Sequence, residues 1–153
     1  MDKFIERVIE LAVASVREGG GPFAALVVRD GEVIAEGGNR VTLAHDPTAH
    51  AEIVAIREAC RKLGSFQLIG CDVYSSCEPC PMCLGALYWA RPARVYFAAT
   101  QADAAAAGFD DEILYRQLAL PYRDRSLPMA RIETPRATAP FEAWMAKPDR
   151  TKY

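Results

Sequence analysis

The 153-residue chain lacks a long apolar run, an appreciable net charge, and any repeat or low-complexity linker. A membrane-spanning helix needs about 20 consecutive apolar residues, and no stretch here approaches that length. The first residues, Met1-Asp2-Lys3-Phe4, turn amphipathic at once, without the charged and then apolar pattern of a secretory leader. A cytoplasmic protein with reduced thiols and no membrane partner is therefore expected. The formal net charge of −2 leaves no overall electrostatic footprint for nucleic acid. What remains is an ordinary globular composition, 51% hydrophobic and 25% charged, at a length that buries a core without disulfide staples. A single domain over residues 1–153 is expected, with a compositional shift to proline and arginine after about Leu120.

Five cysteines are present, and their placement is uneven. Cys60 falls in an apolar helical pattern and Cys71 opens a strand pattern, so both read as small core residues. Cys80 and Cys83 form Pro79-Cys80-Pro81-Met82-Cys83, downstream of His50-Ala51-Glu52. One imidazole and two thiolates suit Zn²⁺, and three protein ligands leave its fourth tetrahedral position open, as catalytic sites require. Glu52, two residues from the histidine, then reads as a general acid–base rather than a ligand. The joint pattern H-x-E…P-C-x-x-C is the zinc deaminase signature, far more specific than a lone C-x-x-C. Cys77 stays open between a packing role and a fourth ligand, which would close the site and make it structural.

Apolar spacing predicts a helix over 3–17 capped by Asp2, with Phe4, Ile5, Val8, Ile9, Ala12 and Val16 on one face. Strands are expected at 23–29 and 32–36 around an Asp30-Gly31 hairpin turn, at 71–75, at 94–99 and, weakly, at 129–133. Helices are expected from the Asp46-Pro47-Thr48 signal to Gly64, over 79–90, 102–107 and 110–118, and around 141–147. Their alternation argues for a three-layer α/β/α sandwich on a mixed, mostly parallel five-stranded sheet. His50 and Glu52 then fall at one helix N-terminus and Cys80 and Cys83 at another. The partial positive charge there favours thiolates.

Beyond the zinc motif, the chain resembles the bacterial guanine deaminases of the cytidine deaminase-like superfamily over nearly its whole length. The matching stretches are Gly21-Pro22-Phe23, Glu36-Gly37-Gly38-Asn39, Asp46 to Glu52 and Ser76 to Ala86, which are shared with tRNA adenosine deaminases. Tyr88-Trp89-Ala90-Arg91-Pro92, Ala105 to Asp111 and the terminal Lys152-Tyr153 look like guanine deaminase specifically. The resemblance implies a cytidine deaminase-like fold and one zinc per chain on His50, Cys80 and Cys83, with Glu52 moving protons. It also implies a purine site formed by Phe23, Asn39, Ala51, Trp89, Asp111 and Tyr153. The implied assembly is a homodimer whose segment 120–153 is exchanged between subunits, acting on a small-molecule purine. Core packing is the competing reading for Phe23 and Trp89, helix capping for Asp111, and a frayed terminus for Tyr153. Ala24 stands where the family's glycine is expected, a change that would narrow the pocket slightly. A tRNA adenosine deaminase, or a deaminase of guanosine or ammeline, is the alternative activity. Against the tRNA reading, the C-terminal arginines are interleaved with acids and prolines, as on a solvated surface.

Overall fold

A computed structural model describes residues 2–153. One compact unit runs through Ile113 and a second spans Leu114–Tyr153. Helix α1 (Lys3–Arg17) begins where Asp2 Oδ1 accepts from the backbone N–H of Phe4 at 2.8 Å and of Ile5 at 3.4 Å. Strands β1 (Ala24–Arg29) and β2 (Glu32–Gly38) pair antiparallel. Their turn places Asp30 at φ 52° and Gly31 at φ 77°, the left-handed pair that an Asp-Gly hairpin requires. After a short α2 (Val41–Ala44) come α3 (Ala51–Leu63), β3 (Cys71–Cys77), α4 (Pro81–Ala90), β4 (Arg94–Ala99) and α5 (Gln101–Ala106). Helix α6 (Glu112–Ala119) follows, and the second unit adds a 3₁₀ turn (Tyr122–Asp124) and α7 (Ala139–Ala146).

The sheet order is β2-β1-β3-β4. Only β3 and β4 pair in parallel; β1 is antiparallel to both of its neighbours. The sheet is mixed, as expected: β2, β3 and β4 run in one direction and β1 runs against them. The α3 crossover makes β2 and β3 run in the same direction, as crossovers do, but β3 docks beside β1 and so never touches β2. The strand count is corrected, because the fifth strand expected at 129–133 does not form. Among the described residues four strands form, and 129–133, between Pro128 and Pro135, has no ladder partner.

Alternation along β1 and β3 divides the core into two layers. Ala25, Val27, Cys71 and Val73 face α3 and α4, where they meet Ala51, Ala55, Ala59, Leu87 and Ala90. Ala24, Leu26, Val28 and Tyr74 face α1 at Val8 and Ala12. The three-layer sandwich follows. Ala24 therefore belongs to the α1 face, and its methyl is wholly buried there. The narrowing of the pocket expected from Ala24 is corrected, because side chains alternate along a strand and its neighbours Phe23 and Ala25 are the ones on the other face. Small residues at 51, 55 and 59 let α3 lie close to the sheet. At Gly37 a Cβ would sit 2.4 Å from the Ala51 carbonyl oxygen, so glycine sets the depth at which α3 begins.

Candidate active site

Two helices start side by side at the carboxyl end of β3. His50 is the N-cap of α3, in extended conformation, and Glu52 lies in its first turn. Cys80 is the N-cap of α4, Pro81 its first residue and Cys83 lies one turn in. Proline suits that position because its missing N–H would have had no helical partner. The α3 start lies three residues beyond the expected Thr48. Asp46 spends its carboxylate on the backbone N–H and hydroxyl of Thr48, at 2.8 and 2.7 Å, in a local turn instead of a helix cap.

His50 Nδ1 lies 3.6 Å from the sulfur of Cys80 and 3.6 Å from that of Cys83. With Zn–S of about 2.3 Å and Zn–N of about 2.05 Å at a tetrahedral angle, nitrogen and sulfur around one zinc are about 3.6 Å apart. The donor set fits zinc in both chemistry and spacing, and the three donor atoms lie within 4.8 Å of one another. Proton sharing in the cluster has the same origin. Cys80 is pulled down to about 4, chiefly by the hydrogen bond from the Cys83 thiol, with His50 assisting. Donating to Cys80 pushes the Cys83 thiol up, and the hydrogen bond with Cys80 pushes His50 up. Cys77 does not join the group. Its thiol reaches the Thr100 carbonyl oxygen at 3.5 Å and burial pushes it up to about 11, which favours the packing role over a fourth ligand.

Glu52 is 6% exposed. Its Oε1 accepts from the Ser75 hydroxyl at 3.2 Å and its Oε2 from the Cys83 thiol at 3.4 Å. Burial is the main reason its carboxyl is pushed above the ordinary carboxylate range. His50, Glu52 and Cys80 open onto a cavity of about 360 Å³, also lined by Phe23, Asn39, Cys77, Glu78, Phe109 and Asp111, by Gly20 and Gly21, and by Val41 and Thr42 of α2. Asn39 Oδ1 accepts from Val41 N–H at 3.2 Å, which leaves its amide nitrogen as the group that can donate into the cavity. Asp110 Oδ1 accepts the backbone N–H of Glu112 at 3.0 Å. Asp111 faces the cavity, its carboxyl pushed up by burial and by Cys80 nearby.

The structure thus brings Phe23, Asn39, His50, Glu52, Cys80 and Asp111 to one cavity, with Cys83 behind it. Two expected substrate residues are not among those lining this cavity. Ala51 is fully buried, its methyl packed against the sheet with Ala55 and Ala59. Trp89 is 63% exposed on α4 and lines no part of the cavity, because the buried face of that helix is Cys83, Leu87 and Ala90. Tyr153 lies in the 114–153 unit, 70% exposed, its ring edge-on to Trp144 with centroids 6.4 Å apart. Sequence reasoning missed Phe109, which meets Phe23 edge-to-face at 4.9 Å and 86°. The available signal was its position beside Asp111 in the Gly-Phe-Asp-Asp stretch. It also missed Ser75, for which an alternating strand pattern offers no cue.

The family model for the cytidine and deoxycytidylate deaminase zinc-binding region matches residues 1–99. The chain belongs to this zinc deaminase family. It is 49% identical over 153 residues to the guanine deaminase of Bacillus subtilis strain 168, covering 99% of this chain and 98% of that one. The crystal structure of guanine deaminase from Bacillus subtilis superposes with a TM-score of 0.97, covering 100% and 99% of the two chains. A tRNA-specific adenosine deaminase of Agrobacterium fabrum is 46% identical over only 95 residues, 60% of this chain and 62% of its own. A guanine deaminase structure from Nitrosomonas europaea matches at 37% identity and a TM-score of 0.67, covering 71% of this chain and 63% of its own. The zinc deaminase cofactor thus has its binding residues in this chain, His50, Cys80 and Cys83.

Proposed function

We propose that this protein hydrolyses guanine to xanthine and ammonia by attack of water at C2 of the purine. The observation that carries the reading is the 49% identity to a guanine deaminase across the whole chain, through the segment after residue 99 where the family model ends. The tRNA deaminase match covers 60% of the chain. His50, Cys80 and Cys83 hold the zinc, which when bound acts as a Lewis acid and lowers the pKa of water from about 15.7 to about 7.

The remaining steps belong to this chain's side chains. Phe23, braced by Phe109, offers its face to the purine, and Asn39 donates its amide N–H to a ring acceptor. Glu52 accepts a proton from the attacking water and delivers it to N3 of the ring. It then takes a proton from the new C2 hydroxyl and gives it to the departing amino group, so that xanthine and ammonia leave and the carboxylate is restored. Asp111 supports the amino edge of the ring. We further propose a cytoplasmic homodimer in which residues 120–153 are exchanged, so that Tyr153 of one subunit closes the pocket of the other. Ammonia release measured across guanine, guanosine, adenine and cytosine tests the substrate. Turnover of guanine above the others is expected, and turnover of adenine or cytosine with none of guanine overturns the reading.

A further inference from the structure

We propose that Ser75 is a positioning residue that holds one oxygen of Glu52 and thereby assigns proton transfer to the other, an inference that rests on the deaminase reading above. Ser75 is 2% exposed on β3, held through the ladder opposite Ala25 on β1 and Phe97 on β4. Its strand neighbours on the same face, Cys71 and Val73, and the adjoining Ala25 and Val27 are all packed in the apolar core under α3 and α4. A hydroxyl in that setting is costly unless it is bonded. Its hydrogen bond is to Glu52 Oε1, 3.2 Å away.

Glu52 has a second side-chain contact, Cys83 Sγ at 3.4 Å from Oε2. A cysteine ligates metal as thiolate, so in the zinc-loaded protein Cys83 has no proton to donate. Ser75 keeps its proton, and its backbone cannot follow a rotating carboxylate because both ladders fix it. Oε1 is consequently tied to the sheet. Oε2 points toward the sulfur of a zinc ligand and is the oxygen that exchanges protons with water and purine. Loss of the Ser75 hydroxyl frees the carboxylate to rotate without altering the cavity wall, since Ser75 does not line the cavity. The effect falls on kcat and not on purine affinity.

The test compares Ser75→Ala, Ser75→Val and Ser75→Thr in the zinc-loaded enzyme. Valine and threonine have the same shape and differ by one hydroxyl. Ser75→Ala and Ser75→Val are expected to keep one zinc per chain, bind xanthine as an inhibitor as the parent does, and lose about 10- to 100-fold in kcat with KM nearly unchanged, the range typical of groups that orient a reacting side chain. Ser75→Thr is expected to recover most of the kcat that Ser75→Val loses. Parental kcat in Ser75→Ala, equal kcat in the valine and threonine variants, or zinc loss in Ser75→Ala overturns the proposal. Should the two larger side chains prevent folding, the kcat and KM of Ser75→Ala decide it alone. Absence of guanine turnover in the parent enzyme would overturn the deaminase reading itself, an outcome separate from any of these.

Discussion

Glu52 shows how one residue's distance from its neighbours separates two roles that a carboxylate can play beside zinc. The donor atoms that cluster are those of His50, Cys80 and Cys83, while Glu52 bonds to Ser75 and to the sulfur of Cys83 and opens onto the same cavity without joining the donor cluster. Glu52→Gln should therefore retain one zinc per chain and a parental melting temperature, yet lose at least about 100-fold in kcat, as expected for removal of a general acid–base. His50→Ala, Cys80→Ala and Cys83→Ala should lose metal. Metal analysis of the four purified variants checks this, and zinc loss in Glu52→Gln equal to that in Cys83→Ala would make Glu52 a ligand. The same scale explains which site residues were legible in the sequence. His50, Glu52, Cys80 and Cys83 have spacings that only metal chemistry explains. Phe109 and Ser75 are ordinary in type, and their roles arise from contacts with Phe23 and Glu52 far away in the chain.

Elements position the site through how closely they approach one another. The N-terminal turn of α3 carries both His50 and Glu52, and its distance from β2 is set at Gly37, where a Cβ would meet Ala51 O at 2.4 Å and Ala55 N at 2.7 Å. Both obstacles are backbone, so no side-chain rotation relieves the clash. Gly37→Ala should displace the start of α3, destabilise the fold by about 1–3 kcal/mol as overpacking does, and weaken zinc retention together with activity. Thermal melts and a chelator competition titration read the two effects. Unchanged zinc affinity would show that α3 is seated by its apolar face alone. Helix existence was legible here because apolar periodicity, the Asp2 cap and the Gly64 stop are local signals. Sheet order was not, because the sequence of β2, α3 and β3 is compatible with β3 docking beside either β2 or β1. The strand expected at 129–133 failed for a related reason, since a ladder needs a partner that local β-propensity does not supply.

At the scale of the molecule, two predictions separate an enzyme from a zinc-stabilised binding module and assign the C-terminal segment. The larger side chains of the core, Val8, Leu26, Val27, Leu68 and Val73, are fully buried without help from the metal ligands. Chelation should therefore abolish turnover while leaving the far-ultraviolet dichroism in place, with a melting temperature lowered only by the lost binding free energy, and added zinc should restore activity. Unfolding on chelation would instead favour the module. The exposed terminus poses the sharper question. Two exposed final residues are ordinarily dispensable, so deletion of Lys152 and Tyr153 should cost nothing if the tail is mere surface. If Tyr153 covers the purine, the truncation should lose about 10- to 200-fold in kcat/KM, corresponding to roughly 1–3 kcal/mol, with zinc content and melting temperature nearly unchanged. Exchange of residues 120–153 adds a condition that a tail serving its own subunit cannot meet. Mixing the truncated chain with Glu52→Gln and re-forming dimers would place an intact tail over an intact zinc site in the heterodimer, so activity should rise above that of either parent. No recovery despite verified subunit exchange would confine each tail to its own subunit, and full activity of the truncation alone would remove Tyr153 from the site.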